Sequence, residues 1–174
     1  MNDIKRVFST KIMTETVTFV ALATVLSYIK IFSLPQGGSV TLASMVPILW
    51  LALRRGPKVG IFAATLYGVV QFALGPYIIH PAQVLLDYPI GFGMLGFTGF
   101  FRKRPFIGII LGIIGRFVIH FFSGIIFFAI YTPQGMNPAV YSALYNGGYL
   151  LVELGISIYV IYMLRANKVL KIYI

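Results

Sequence analysis

One stretch decides the fold class of this chain: RKRPFIGIILGIIGRFVIHFFSGIIFFAI, residues 102–130. Three basic residues open it, and nearly everything after them is apolar. A helix of about 20 apolar residues crosses the roughly 30 Å of hydrocarbon in a bilayer. The run from 105 to 130 is therefore long enough to span a membrane. Because a barrel strand would alternate apolar and polar residues, we predict a helix here.

Basic residues recur along the chain in four clusters of three, and long apolar intervals separate the clusters. The clusters are Lys5, Arg6 and Lys11; Arg54, Arg55 and Lys58; Arg102, Lys103 and Arg104; and Arg165, Lys168 and Lys171. Each interval is long enough for two membrane crossings with a nearly uncharged turn between them. Since basic residues beside spans stay on the cytoplasmic side, this spacing predicts six crossings with both termini in the cytoplasm.

The predicted fold class is all-α: one integral membrane domain over residues 1–174, a bundle of six transmembrane helices in the cell membrane. The predicted spans are residues 12–32, 40–53, 59–74, 82–101, 105–130 and 139–164. The chain is 59% hydrophobic and 10% charged, with a mean hydropathy of +0.90, which is typical of a protein dissolved in lipid. The net charge is +10, and the basic residues that produce it lie at the ends of the predicted spans. This placement favours anionic lipid headgroups over nucleic acid as their partner.

Polar and ionisable side chains inside spans are expensive, so each is a candidate for function. Counting 1.5 Å per residue places Asp87 and His120 about 8 Å, and Asn146 about 10 Å, below the outer surface. Tyr88 and Tyr141 lie at comparable or shallower depth. Three predicted helices thus bring polar groups to one level, which predicts a pocket near the extracellular face.

The spacing along the last two spans supports this pocket. Residues three or four apart share a helix face, and two such stripes are Arg116, His120, Gly124 and Phe128, and Ser142, Asn146, Tyr149 and Glu153. Tyr141 departs from its stripe and would act at the pocket mouth. A structural ion pair between Arg116 and Glu153 is the favoured reading of those two charges. Tyr28, Tyr77 and Tyr131 are typical of aromatic residues at a membrane interface.

One carboxylate, one imidazole, an amide and several aromatic rings suit a small, flat, cationic ligand. The sequence carries no H-E-x-x-H or G-x-S-x-G motif, and it has no phosphate-binding loop with which to use ATP. We therefore predict a binding protein that takes energy from a partner, not an enzyme, with no cofactor. The alternative is an intramembrane hydrolase that uses His120 and Asp87.

Several short patches, in order along nearly the whole chain, resemble the thiamine-specific substrate-binding (S) component of energy-coupling factor (ECF) transporters. They are PQGGSVTL at 35–42, MVPI at 45–48, LRRG at 53–56, LLDYP at 85–89, FVIHFFSG at 117–124, YS at 141–142 and NG at 146–147. The resemblance implies a compact six-helix bundle with a vitamin pocket near its outer face. Its implied partners are a transmembrane coupling subunit and two ATPase subunits.

Carried over residue by residue, the resemblance implies that thiamine is the transported ligand. The implied ligand-binding residues are Asp87, Tyr88, His120, Gly124, Phe128, Tyr141 and Asn146. Phe128 stands where some members have a stacking Trp. A second alternative therefore stays open, an S component for another heterocyclic vitamin.

Overall fold

The computed structural model describes residues 9–167, so the basic residues Lys5, Arg6, Lys168 and Lys171 lie outside the described part. Its main helices are α1 (Thr10–Ser27), α2 (Val46–Arg55), α3 (Pro57–Leu74), α4 (Pro81–Phe101), α5 (Pro105–Phe127) and α6 (Pro138–Ala166). Two short strands, β1 (Lys30–Ser33) and β2 (Ser39–Thr41), lie between α1 and α2. Single 3₁₀ turns form at Pro35–Gly37 and Ala129–Tyr131.

Proline begins the four longest apolar helices, which are α3 to α6. Its fixed φ suits the first helical turn, where the missing N–H has no intrahelical acceptor. Side chains cap two of these starts: the Asn137 Oδ1 accepts from the Ala139 N–H at 2.8 Å, and the His80 Nδ1 accepts from the Ala82 N–H at 3.1 Å. Local sequence therefore fixes where these helices start.

Within residues 9–167, four helices, α3 to α6, are long and apolar enough to cross a membrane. They overlap the predicted spans 59–74, 82–101, 105–130 and 139–164, and that they cross a membrane there stays a prediction. Helix α2 differs, because it has only 10 residues and begins at Val46. At 1.5 Å per residue it is about 15 Å long, half the hydrocarbon thickness. All residues from Val46 to Leu53 are buried, so α2 is the centre of the packed core.

The chain between α1 and α2 forms a β-hairpin, which the sequence did not predict. Strands β1 and β2 pair antiparallel, with Phe32 opposite Val40 and Ser33 opposite Ser39. Residues 30–32 and 40–41, placed in predicted spans, therefore lie in strands. A short apolar run does not by itself distinguish a strand from a helix. The pairing across the Pro35–Gly37 turn decides the conformation.

Helix α4 packs between α3 and α5, and α5 packs on α6. The backbones of α3 and α4 approach closely at Gly96, where a Cβ would lie 2.2 Å from the Ile61 nitrogen. At the end of the molecule away from the hairpin, Glu15 of α1 accepts two hydrogen bonds from the Arg55 guanidinium, and Arg54 lies 3.6 Å from the same carboxylate. This ion-pair cluster joins α1 to the end of α2.

Candidate ligand-binding site

A cavity of about 230 Å³ lies at the hairpin end of the bundle, among α3, α4, α5, α6 and the hairpin. Every residue predicted to bind ligand lines it. These are Asp87, Tyr88, His120, Gly124, Phe128, Tyr141 and Asn146. The structure thus brings together side chains from three helices that are distant in sequence, and their role in ligand binding stays a prediction.

Asp87 lies on an irregular turn of α4. Residues Leu86–Ile90 form a π-helical turn that contains Pro89. Because proline has no N–H and its ring clashes with the carbonyl four residues earlier, the helix cannot continue as a regular α-helix there. Such wide turns occur often at functional sites. Here the turn sets the position of a carboxylate that is 9% exposed.

The two oxygens of the Asp87 carboxylate differ in their contacts. Oδ2 accepts a hydrogen bond of 2.7 Å from the side-chain amide of Gln83, one turn earlier in α4. Oδ1 lies 3.2 Å from Nδ1 of His120. Within residues 9–167, however, Oδ1 is buried without a hydrogen-bond partner. One oxygen is thus fixed by a hydrogen bond from Gln83, and the other has the His120 ring beside it.

His120 connects Asp87 to Arg116. The Arg116 Nε donates to Nε2 of His120 at 3.2 Å, so Nε2 is unprotonated and Nδ1 carries the proton. The imidazole is therefore neutral, with Nδ1–H on the side of Asp87. Gly91 makes room for this ring, because a Cβ at that position would lie 3.2 Å from Nε2.

The expected ion pair between Arg116 and Glu153 is wrong, since no such contact within 4 Å exists in the part of the chain that the structure describes. The Arg116 guanidinium lies instead over the Phe92 ring, 3.7 Å from its centroid, and its NH1 is 3.6 Å from the Met45 sulfur. Glu153 accepts hydrogen bonds from Thr41. Arg116 thus contacts α4 and the residue before α2, and Glu153 contacts β2. The spacing of residues along α5 and α6 does not predict these contacts.

The α6 face forms the opposite wall of the cavity. Asn146 joins it to α5, because its Nδ2 donates to the His120 carbonyl at 3.3 Å and to the Ser142 carbonyl at 3.0 Å. Gly124 of α5 touches Ser142, and a Cβ at Gly124 would lie 2.1 Å from the Ser142 Oγ. The absent side chain at this position is thus required for packing α5 on α6. Tyr141 lies farther along the wall, with its ring centroid 6.0 Å from that of Tyr145.

Aromatic side chains from two loops cover the cavity. Tyr77 stacks on Phe128 with 5.8 Å between ring centroids, and its hydroxyl donates to that of Tyr131 at 3.0 Å. This hydrogen bond, together with burial, raises the pKa of the Tyr77 phenol to about 12, so it remains a neutral donor at physiological pH. The Tyr88 hydroxyl accepts from the Tyr77 N–H at 2.8 Å and thereby holds the loop in place.

Sequence reasoning missed several residues that line the cavity. Tyr28, Tyr77 and Tyr131 were interpreted as interface aromatics, and all three line the cavity. No sequence signal singled out Gln83, Phe92, Thr41 or Ser44, and Tyr145 was missed although a signal for it existed. The one available signal was the four-residue spacing of Tyr141, Tyr145 and Tyr149, which puts an aromatic row on one face of α6.

Comparison with known proteins points in one direction. The model of a family described as thiamine transporter protein, Thia_YuaJ, matches residues 13–172. The thiamine transporter ThiT of Bacillus subtilis is 32% identical over 158 residues, which cover 80% of this chain and 82% of that protein. ThiT of Lacticaseibacillus paracasei is 31% identical over 174 residues, with 86% and 84% covered. The solved structure of ThiT from Listeria monocytogenes superposes with a TM-score of 0.81 at 27% identity, over 88% of this chain and 92% of that one.

Proposed function

This chain belongs to the thiamine transporter protein family, and from that premise we propose that it is the substrate-binding subunit of an ECF-type vitamin transporter that captures thiamine. It is a transport protein of the membrane with several apolar helices, and not an enzyme. This assignment favours transport over the alternative hydrolase.

The observation that carries the proposal is the Asp87–His120 pair inside an aromatic cavity of about 230 Å³. Thiamine is a monocation in which a methylene bridge joins a planar thiazolium to a planar aminopyrimidine. The Asp87 carboxylate suits its positive charge or its amino group. The rings of Tyr77 and Phe128 offer faces on which a cationic heterocycle stacks favourably.

The proposal includes six membrane crossings, cytoplasmic termini and a cavity that opens to the extracellular side. The positions of the basic clusters support this orientation. For ATP-driven uptake the chain would associate with a transmembrane coupling subunit and two ATPase subunits. Helix α1 exposes Ala21 and Val25 to its surroundings, which makes that face available for packing against another helix.

Calorimetry of thiamine binding tests the site. Asp87→Asn removes the charge but keeps the shape, and His120→Ala removes the ring beside it. Each change should weaken thiamine binding by about 2–5 kcal/mol, because a desolvated charge loses its partner. Glu15→Gln is a matched control, an acid-to-amide change at the other end of the bundle, and should leave the affinity unaltered.

Unchanged thiamine affinity in both Asp87→Asn and His120→Ala would contradict the site assignment. If the unmodified protein, correctly folded in detergent, binds no thiamine at all, the proposed function itself fails.

A further inference from the structure

Glu153 lies at the floor of the cavity, outside the set of residues assigned to thiamine above. We define the floor as the turn of residues 41–45 that leads into α2, together with Arg116 and Glu153. Glu153 lies two helical turns beyond Asn146 on the same face of α6, and its side chain is 1% exposed. A carboxylate so deeply buried is costly unless something balances its charge.

Burial opposes a negative charge on Glu153, whereas its hydrogen bonds favour the anion. Its Oε1 accepts from the Thr41 backbone N–H at 2.6 Å and from the Thr41 hydroxyl at 2.7 Å. Two donors on one oxygen at such short distances are typical of an ionised acceptor. Its Oε2 is buried and has no hydrogen-bond partner among residues 9–167. Glu153 thus leaves one carboxylate oxygen unpaired.

The charges inside the cavity do not balance. The buried charged side chains that line it are Asp87, Glu153 and Arg116, and His120 is neutral because its Nε2 accepts from Arg116. Two negative charges against one positive charge leave one net negative charge. Lys30 also lines the cavity but is exposed, so solvent and salt screen it. A monocation would neutralise the interior.

We propose that Glu153 is a specificity-determining residue that selects the positive charge of the ligand, so that a cationic heterocycle is bound in preference to an uncharged isostere. This inference rests on the proposed function and names the feature of thiamine that the floor recognises. Asp87 and Glu153 supply two negative charges, and Arg116 cancels one of them. The selected cation restores neutrality among buried side chains, where charges interact more strongly than in bulk water.

The test compares two ligands of nearly identical shape. One is thiamine, and the other is its uncharged analogue in which a thiophene replaces the thiazolium. Glu153→Gln removes the charge while its amide oxygen still accepts from Thr41. We expect the preference for thiamine over the analogue to fall by about tenfold. This is the order expected when the interaction between the charges of Glu153 and the thiazolium, about 10 Å apart at an effective dielectric constant of about 20, is removed. Calorimetric dissociation constants for both ligands measure this ratio.

Two further variants separate charge from packing. Thr41→Val removes one hydrogen bond to Glu153 without changing any charge, so it should affect both ligands equally. Arg116→Gln removes the positive charge but keeps an amide that can donate to Nε2 of His120, so it leaves two negative charges and should raise the preference for thiamine. This variant also keeps the proposal testable if Glu153→Gln does not fold, which size-exclusion chromatography and thermal melting in detergent would reveal.

An unaltered ratio in folded Glu153→Gln would overturn the inference, as would a ratio in Arg116→Gln no higher than that of the unmodified protein. Either result leaves thiamine binding by the unmodified protein intact and so differs from failure of the proposed function. In that case Glu153 serves only to hold Thr41.

Discussion

Gln83 holds the Asp87 carboxylate from one turn earlier in α4. Its amide nitrogen donates to Oδ2 of Asp87 at 2.7 Å and to the Tyr77 carbonyl at 3.1 Å, while its oxygen accepts from the Ile79 N–H at 3.0 Å. The side chain is 1% exposed, so each of these contacts lies away from water. Gln83 therefore joins the acid at the site to the loop that covers it.

We expect Gln83→Leu to weaken thiamine binding and to lower thermal stability, because it leaves buried polar groups unpaired. Each lost partner of this kind costs about 1–3 kcal/mol. Calorimetry and the melting temperature in detergent measure the two effects. Gln134→Leu is the control, because Gln134 is exposed and does not line the cavity. An equal loss of affinity in both variants would argue against a specific role for Gln83.

For individual residues, the sequence predicted the polar side chains that are costly to place in lipid. It did not predict the cavity-lining tyrosines, which are favourable at a membrane interface. We singled out Asp87, His120 and Asn146 because a polar side chain inside an apolar span is costly and is therefore a candidate for function. All three line the cavity. Tyr77 and Tyr131 suit a membrane interface equally well, and only the fold of their loops brings them over the cavity.

The hairpin is the element that closes one side of the cavity, and α6 holds it at two levels. Near the floor, Glu153 accepts two hydrogen bonds from Thr41 of β2. Near the turn, the Tyr145 hydroxyl accepts from the Gly38 N–H at 3.0 Å and donates to the Pro35 carbonyl. Gly38 allows this approach, because a Cβ there would lie 2.7 Å from the hydroxyl.

Tyr145→Phe removes the hydroxyl that fixes the hairpin turn while keeping the ring. We expect faster thiamine dissociation and increased hydrogen exchange at residues 35–38, from the loss of about 1 kcal/mol for each hydrogen bond. Stopped-flow kinetics and exchange mass spectrometry measure these changes. Tyr162→Phe, at a 57% exposed position on the same helix, is the control. Identical behaviour of the two variants would show that the hydroxyl does not hold the hairpin.

The sequence predicted the long helices but not the hairpin. Long apolar runs with proline at the start, such as α5 and α6, are specified by local sequence and were located nearly to the residue. Residues 28–45 are also apolar in part, but their conformation depends on pairing with each other and on contacts with α6. Such contacts join residues more than 100 positions apart, which no local pattern specifies.

Over the whole molecule, α2 explains how a short chain encloses a polar cavity. A ten-residue helix does not fill the thickness of a bilayer. The floor turn 41–45 takes up the space above α2, and its Thr41 and Met45 contact Glu153 and Arg116. A full-length span in this place would have filled the cavity with side chains. The short length of α2, which begins only at Val46, is thus a condition for the site.

The orientation of the bundle can be tested on α6, whose 29 residues extend about 43 Å at 1.5 Å per residue and exceed the hydrocarbon thickness. The chain contains no cysteine, so single cysteines can be introduced without background. Gln134 precedes α6 and Asn167 follows it, and both are exposed. In intact cells, a membrane-impermeant maleimide should label Gln134→Cys, whereas Asn167→Cys should react only after permeabilisation, because the basic residues near it favour the cytoplasm.

The unmodified protein is the unlabelled control, and each variant must still bind thiamine. Labelling of Asn167→Cys alone in intact cells would reverse the proposed orientation and place the cavity mouth on the cytoplasmic side.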